Sequence, residues 1–235
     1  MPTAVTPERF ATGMTFDEYV SMIGTPENLT REGTAGGVRQ DTSAVFKAGY
    51  ERSKLTDAQA EALKWLAEQP NGPAKLLVIT EDWSSDCQRD VPTAARIAEA
   101  AGLELRIFNR DGAKFSAANV PSKDEAPDSN ADLMVQFLNE KNGNTYQSIP
   151  VLAFFTKDME HLYTFIEYPA IYDKDRLVVA HIRGPRPGET AEETAARGGK
   201  EFGELRAGPF WKVWTSATVD EIISALQRRV LLGTV

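Results

Sequence analysis

Residues 81–92 read Glu-Asp-Trp-Ser-Ser-Asp-Cys-Gln-Arg-Asp-Val-Pro and join two segments of different character. Before them, Leu76 to Ile79 is a continuous apolar run between turn signals, which is typical of a strand buried on both faces. After them, one apolar face predicts a helix from about Ser85 to Ala101, with Gly102 as its stop. The stretch therefore leads from a central strand into a helix N-terminus, whose free N–H groups and dipole stabilise a negative atom placed there.

The segments that follow extend the predicted sheet. Leu103 to Phe108 reads as a second strand, and a strand–helix–strand unit with short joints makes these two strands parallel. Val151 to Phe155 and His161 to Ile166 read as a third and a fourth strand, and the intervening Lys157-Asp158 suggests an antiparallel hairpin. The sequence therefore predicts a mixed sheet.

Further helices are predicted between the strands. Thr56 and Gln59 have the spacing of a capping box, so a helix is expected to begin there. The polar residues 109–130 read as a long loop, a kind of segment that is often functional. Leu133 to Leu138 then reads as a helix that breaks at Asn142-Gly143-Asn144.

Both ends of the chain are also expected to be helical. Residues 1–55 read as an N-terminal helical extension, with loose joints around the glycine-rich residues 33–37. Residues 191–235 read as a C-terminal helical segment, whose last helix is expected to begin at a capping box of Thr218 and Glu221.

Composition and charge exclude several classes of protein. With 235 residues, 42% of them hydrophobic, the chain can bury a full core without disulfides. Its net charge of −8 is a poor match for a nucleic-acid binder. Two histidines and one cysteine are too few for a zinc site, so we expect no metal and no cofactor. Since the start of the chain has no basic, apolar leader and no apolar run approaches the ~20 residues that span a bilayer, we expect a cytoplasmic protein without membrane contact.

Residues 83–87, Trp-Ser-Ser-Asp-Cys, resemble the Trp-Cys-x-x-Cys motif of the thioredoxin family. They are most similar to a bacterial thioredoxin-like subgroup that reads Trp-Cys-Gly-Asp-Cys. Pro92 lies where thioredoxin-like helices carry a kinking proline, and Ser148-Ile149-Pro150 resembles the family's cis-proline segment. Gly184-Pro185-Arg186-Pro187 resembles a segment that this subgroup carries after its sheet.

The resemblance covers roughly residues 56–190, the expected core of a single thioredoxin-like domain that includes residues 1–235. It implies an α/β protein of the thioredoxin-like fold, with a central mixed β-sheet, helices on both faces and the N-terminal helical extension. It also implies thiol–disulfide chemistry at the start of the helix.

The departure from the family motif limits that chemistry. The family's attacking cysteine falls on Ser84, and its resolving cysteine falls on Cys87. An alcohol starts near a pKa of about 15.7, and even the largest shift known for helix N-termini, about five units, leaves a pKa on the order of 10. A hydroxyl also forms no disulfide, so ordinary dithiol cycling within this chain is excluded.

Several functions remain open. Cys87 can act alone and form a mixed disulfide with a partner protein or a low-molecular-weight thiol, which makes Cys87 and Ser84 the candidate catalytic residues. Cys87 can also act as an oxidation sensor through a sulfenic acid. A groove beside the helix start can instead bind an extended peptide without turnover. The residues expected in that groove are Trp83, Ser84, Ser85, Asp86, Ile149 and Pro150. A dithiol oxidoreductase in which serine replaced the cysteine at position 84 explains the same sequence.

Structural roles compete with these functions. Cys87 can be an inert thiol in the first helical turn, Ser84 only a helix cap, and Trp83 a packing lid. A solvated acidic rim is the role expected for Asp82, Asp86 and Asp90. Surface salt bridges, in preference to a bound anion, are the role expected for Arg183 and Arg186.

Overall fold

The computed structural model of the chain describes residues 5–233, which contain one mixed four-stranded sheet and a separate hairpin. The strands are β1 (Lys75–Thr80), β2 (Glu104–Asn109), β3 (Asn139–Lys141), β4 (Asn144–Tyr146), β5 (Val151–Phe155) and β6 (His161–Ile166). In the sheet the order is β2-β1-β5-β6; β1 is parallel to β2 and antiparallel to β5, and β5 is antiparallel to β6. The predicted parallel pair and the predicted hairpin are both confirmed.

Helices flank this sheet, as expected for the predicted fold class, which is confirmed. They are α1 (Pro7–Ala11), α2 (Phe16–Ile23), α3 (Pro26–Leu29), α4 (Ser43–Arg52), α5 (Asp57–Ala67), α6 (Ser85–Ala101), α7 (Ala131–Met134), α8 (Tyr172–Arg183), α9 (Ala191–Ala207) and α10 (Pro209–Leu232). Helix α6 contacts β1 and β2 and packs against α4, α5 and α10. The core lies between these helices and the buried strands β1 and β5.

The N-terminal extension packs against this core, while the predicted looseness of the joints around residues 33–37 stays a prediction. Its side chains Phe10, Tyr19 and Phe46 are fully buried. Between α1 and α2, Met14 exchanges two main-chain hydrogen bonds with Ile107 of β2, at 2.9 and 2.7 Å. The neighbouring Gly13 must lack a side chain, because a Cβ there would lie 2.6 Å from the ring of Phe108.

The segment before β5 is a hairpin, and the prediction of a helix that continues to Asn142 was wrong. Only α7 and a 3-10 turn (Val135–Phe137) are helical in this region. Asn142 and Gly143 adopt positive φ values of 51° and 76° between β3 and β4. Asparagine followed by glycine favours such a turn, because both residues tolerate the left-handed conformation.

The last helix begins at Pro209, with Gly208 as its N-cap, so the predicted start at Thr218 was also wrong. Thr218 is buried in the middle of the helix and its hydroxyl donates to Asp90 Oδ1 at 3.3 Å. Glu221 accepts a hydrogen bond from the main chain of Ala170 at 2.8 Å.

Residues 1–4 lie outside the described residues. They are part of the segment for which the sequence predicts no leader. Of the helices in residues 5–233, none combines the length and the apolar character needed to cross a bilayer.

Candidate functional site

The junction of β1 and α6 is built as the local sequence predicts. Ser84 is the N-cap of α6, and its Oγ accepts the main-chain N–H of Cys87 at 3.4 Å. Gly102, with a φ of 66°, ends the helix in the left-handed conformation. Both predicted ends of this helix are confirmed. The hydroxyl oxygen of Ser84 therefore serves as a helix cap, the role that serine performs well.

The single cysteine lies inside the protein. The side chain of Cys87 is 0% exposed and belongs to the hydrophobic core. Burial raises the pKa of the Cys87 thiol to about 12, against hydrogen bonds from Ser84 and Thr80 that lower it. The sulfur is therefore a protonated thiol at neutral pH, and it lies out of contact with solvent.

A groove of 720 Å³ lies beside the start of α6. Its walls bring together most of the residues that the sequence predicted for a binding groove. These are Trp83, Ser84, Ser85, Asp86 and Ile149, and Ser148 lines the groove beside them. Cys87 and Pro150 do not line it. The peptide bond between Ile149 and Pro150 is cis.

The loop between β2 and α7 provides a further wall, residues 115–119, which the sequence analysis did not assign. The side-chain amide of Gln147 fixes this wall by donating to Ser116 Oγ at 2.8 Å and to the Ala118 carbonyl at 2.6 Å. The rings of Phe115 and Trp83 lie 5.7 Å apart. In the sequence, the one sign of this contact is that Phe115 is an aromatic residue within a long polar loop.

The main-chain groups beside the cis peptide bond have no partner within the described part of the chain. Neither Ser148 nor Ile149 takes part in a main-chain hydrogen bond among residues 5–233. Just before them, the carbonyl of Gln147 accepts from Arg110 at 3.0 Å, and just after them, the carbonyl of Pro150 accepts the N–H of Glu167 at 2.9 Å. Ser148 and Ile149, which both line the groove, therefore each keep an unused main-chain donor and acceptor.

The predicted acidic rim is wrong for Asp82 and Asp90, which are 2% and 0% exposed. Asp90 pairs with Arg89 at 2.6 Å, and Asp82 forms an ion pair with Arg39. Asp86 is half-buried and contacts Arg89 at 2.9 Å. Burial raises the pKa of both Asp86 and Asp90, against the opposing effect of Arg89.

Further buried charges surround Glu81, which directly follows β1. The carboxylate of Glu81 contacts Arg31 at 2.8 Å and Arg39 at 2.7 Å, and it accepts the main-chain N–H of Asp111 at 2.8 Å. Burial raises the pKa of Glu81, against the lowering effect of the two arginines. Since both arginines belong to the N-terminal extension, this group ties the extension to the end of β1 beside the groove.

The two arginines of the predicted surface salt bridges differ in their contacts. Arg186 pairs with Glu201 at 2.8 Å, as predicted. Arg183 lines the groove and stacks over the ring of Phe202 at 4.1 Å; within residues 5–233 it forms no ion pair. Within the same residues, no three His, Cys, Asp or Glu side chains lie together in a group that could hold a metal ion.

Comparison with known proteins agrees with this architecture. The model of a family described as thioredoxin matches residues 39–180, more than half of the chain, and the chain therefore belongs to the thioredoxin family. A solved structure of a Pseudomonas aeruginosa protein of unknown function is 16% identical, with a TM-score of 0.51 and coverage of 93% of this chain and 94% of that one. An HIV epitope-scaffold is also 16% identical, with a TM-score of 0.50 and coverage of 94% and 96%. At this identity the two structures show the shared fold alone. No curated protein matches the sequence.

Proposed function

We propose that this protein is a binding module of the thioredoxin fold, which holds an extended peptide segment of a partner protein without thiol chemistry. The unused main-chain groups of Ser148 and Ile149 in the groove carry the proposal. Extended peptides bind through such groups by adding a strand-like set of hydrogen bonds. Ser84 and Ser85 at the start of α6 form the opposite side of the peptide's path.

Aromatic side chains give the groove its affinity for side chains of the peptide. Trp83, Phe115 and Tyr146 line it, and Tyr146 is 42% exposed. Tryptophan and tyrosine are the residues that most often dominate binding energy at interfaces. Arg183 is a cation in the lining without an ion-pair partner among the described residues. We therefore expect the bound peptide to carry an acidic side chain near Arg183.

Two thiol functions compete with this proposal. Mixed-disulfide exchange by Cys87 and oxidation of Cys87 to a sulfenic acid both need an ionised sulfur that a partner can reach. Full burial and a pKa of about 12 favour peptide binding over both. Membership of the bacterial Trp-Cys-Gly-Asp-Cys subgroup and a cytoplasmic location stay predictions. Disulfide reductase activity created by Ser84→Cys would support the alternative in which serine replaced a native cysteine.

Selection from a library of short linear peptides, followed by calorimetry on the selected peptide, tests the proposal. Trp83→Ala is expected to weaken binding by at least about tenfold, because central aromatic contacts contribute about 2 kcal/mol or more. The exposed Tyr146→Ala is expected to weaken it without disturbing the fold. The matched control is Trp65→Ala, since Trp65 is a half-exposed tryptophan on α5 outside the groove.

Peptide chemistry separates the possible outcomes. Methylation of a central main-chain nitrogen of the peptide is expected to abolish binding, and Cys87→Ala is expected to leave the affinity unchanged. Binding that persists in both Trp83→Ala and Tyr146→Ala would contradict the proposal. A complex that needs Cys87 and dissociates on addition of a reducing thiol would replace it with monothiol exchange.

A further inference from the structure

A second cavity, of 690 Å³, lies where the end of α4 and the start of α5 meet the junction of α9 and α10. Its volume is in the range of about 300–1,000 Å³ that is common for small-molecule sites. It shares no lining residue with the peptide groove. Its apolar lining consists mainly of Leu55, Ala207, Pro209, Trp211 and Val219.

Positive charge surrounds this apolar lining. The cations are Arg52, Lys54, Arg206 and Lys212, together with Arg89, whose charge is matched by Asp86 and Asp90. The first four form no ion pair within the part of the chain that the structure describes, and Glu51 is the one acid among the lining residues. In a chain with a net charge of −8, four unpaired cations around one cavity are a marked local excess.

Of these four cations, Arg206 is the one that is partly buried. Its guanidinium donates to Gln88 Oε1 at 2.6 Å and lies 5.1 Å from the centre of the Trp211 ring. Burial and the nearby charge of Arg52 lower the pKa of Arg206. Arg197, on the same helix, differs from Arg206 because it has an acidic partner. It pairs with Glu189, and the hydrogen bond to that carboxylate raises the pKa of Arg197. The charge of Asp86 acts to raise the pKa of Arg206, but the two side chains form no ion pair within residues 5–233. A partly buried guanidinium without an ion-pair partner is stabilised by an anion that enters the cavity.

We propose that this cavity binds a small molecule with an apolar body the size of a fused ring and one anionic group. The body packs against Trp211, Leu55 and Val219, and the carboxylate or phosphate contacts Arg206. Arg52 and Lys212 at the cavity wall add to the attraction of the anion. This site is separate from the peptide groove, and neither proposal depends on the other.

Naphthoate is a suitable probe, and naphthalenemethanol is its uncharged counterpart. Binding can be followed by NMR through the indole N–H resonances of the four tryptophans, assigned by single Trp→Phe variants. Naphthoate is expected to shift the resonance of Trp211 and to leave those of Trp65 and Trp83 in place. The neutral alcohol is expected to bind at least about tenfold more weakly, because it lacks the charge-assisted hydrogen bonds to arginine.

Charge variants locate the anion. Arg206→Gln is expected to weaken naphthoate binding by at least about tenfold, by the same loss of a charged hydrogen bond. The matched control Arg176→Gln removes an exposed arginine of α8 outside the cavity and is expected to change nothing. Lys212→Gln, an exposed change that leaves packing intact, is expected to weaken binding by about threefold.

Three results would overturn the proposal. The first is equal affinity for naphthoate and naphthalenemethanol, and the second is a shift of Trp83 without a shift of Trp211. The third is unchanged naphthoate affinity in Lys212→Gln together with unchanged affinity in Arg206→Gln. If Arg206→Gln fails to fold, the result for Lys212→Gln decides alone.

Discussion

Alkylation of Cys87 by iodoacetamide at about pH 8 is expected to be at least about a thousandfold slower in the folded protein than in the unfolded chain. The reacting species is the thiolate, and folding raises the pKa of this thiol from an ordinary 9.0 to about 12. Three pKa units reduce the thiolate fraction about a thousandfold, and complete burial of the sulfur slows the reaction further. Mass spectrometry of the folded and the denaturant-unfolded protein measures both rates, with Cys87→Ala as the unlabelled control.

The pH dependence of stability follows from the same shift. Because the folded pKa lies above the unfolded one, the contribution of Cys87 to stability is fully present below about pH 9 and is lost as the pH rises towards 12. Cys87→Ala is therefore expected to lose less stability than the wild type between about pH 8 and pH 11. A folded-state alkylation rate close to that of the unfolded chain, with a midpoint below about pH 7.5, would instead indicate a reactive thiolate.

Arg39→Met is expected to lower the free energy of unfolding by about 3–5 kcal/mol, the usual result of removing one partner from a buried ion pair. Arg39 contacts both Glu81 and Asp82, and the three side chains are at most 2% exposed. Methionine has a similar volume but no charge. In the variant, Glu81 keeps Arg31 as an ion-pair partner, whereas Asp82 has no ion-pair partner left within residues 5–233. Urea denaturation measures the change.

Lower pH is expected to reduce the loss of stability in Arg39→Met. Burial already raises the pKa of Glu81, and loss of Arg39 raises it further, so protonation stabilises the folded variant as the pH falls. The difference from wild type is therefore expected to be smaller at about pH 5 than at about pH 8. Arg186→Met is the control, since its exposed pair with Glu201 contributes about 0–1 kcal/mol. A loss for Arg39→Met as small as that of the control would contradict the argument.

Local signals explain which elements could be predicted. Ser84 and Gly102 predict both ends of α6, because a cap and a left-handed glycine act within one helical turn. The start of α10 was mistaken because Thr218 and Glu221 have capping-box spacing, whereas the actual partner of Thr218 is Asp90, 128 residues away. Helix α8 was not predicted, because its apolar residues 177–180 follow one another directly and do not recur at helical spacing.

The candidate site shows the same limit. Trp83, Ser85 and Ile149 were correctly predicted to line one groove. The prediction was possible because, in the family that the sequence resembles, the motif and the cis-proline segment lie next to each other. The resemblance could not show that Arg39, 43 residues earlier in the chain, would pair with Asp82. The partner of Asp86 and Asp90, by contrast, is the neighbouring Arg89, which was a local signal against a solvated rim.

The contact of Met14 with Ile107 has a consequence for the solubility of the protein. Strand β2 is at one edge of the sheet, where unpaired main-chain groups offer a template for strands of other molecules. Met14 occupies both outward groups of Ile107, and the side chain of Asn130 donates to the outward carbonyl of Asn109 at 2.6 Å. A short irregular segment thus closes the middle and the end of an edge strand, which protects the protein against edge-to-edge aggregation.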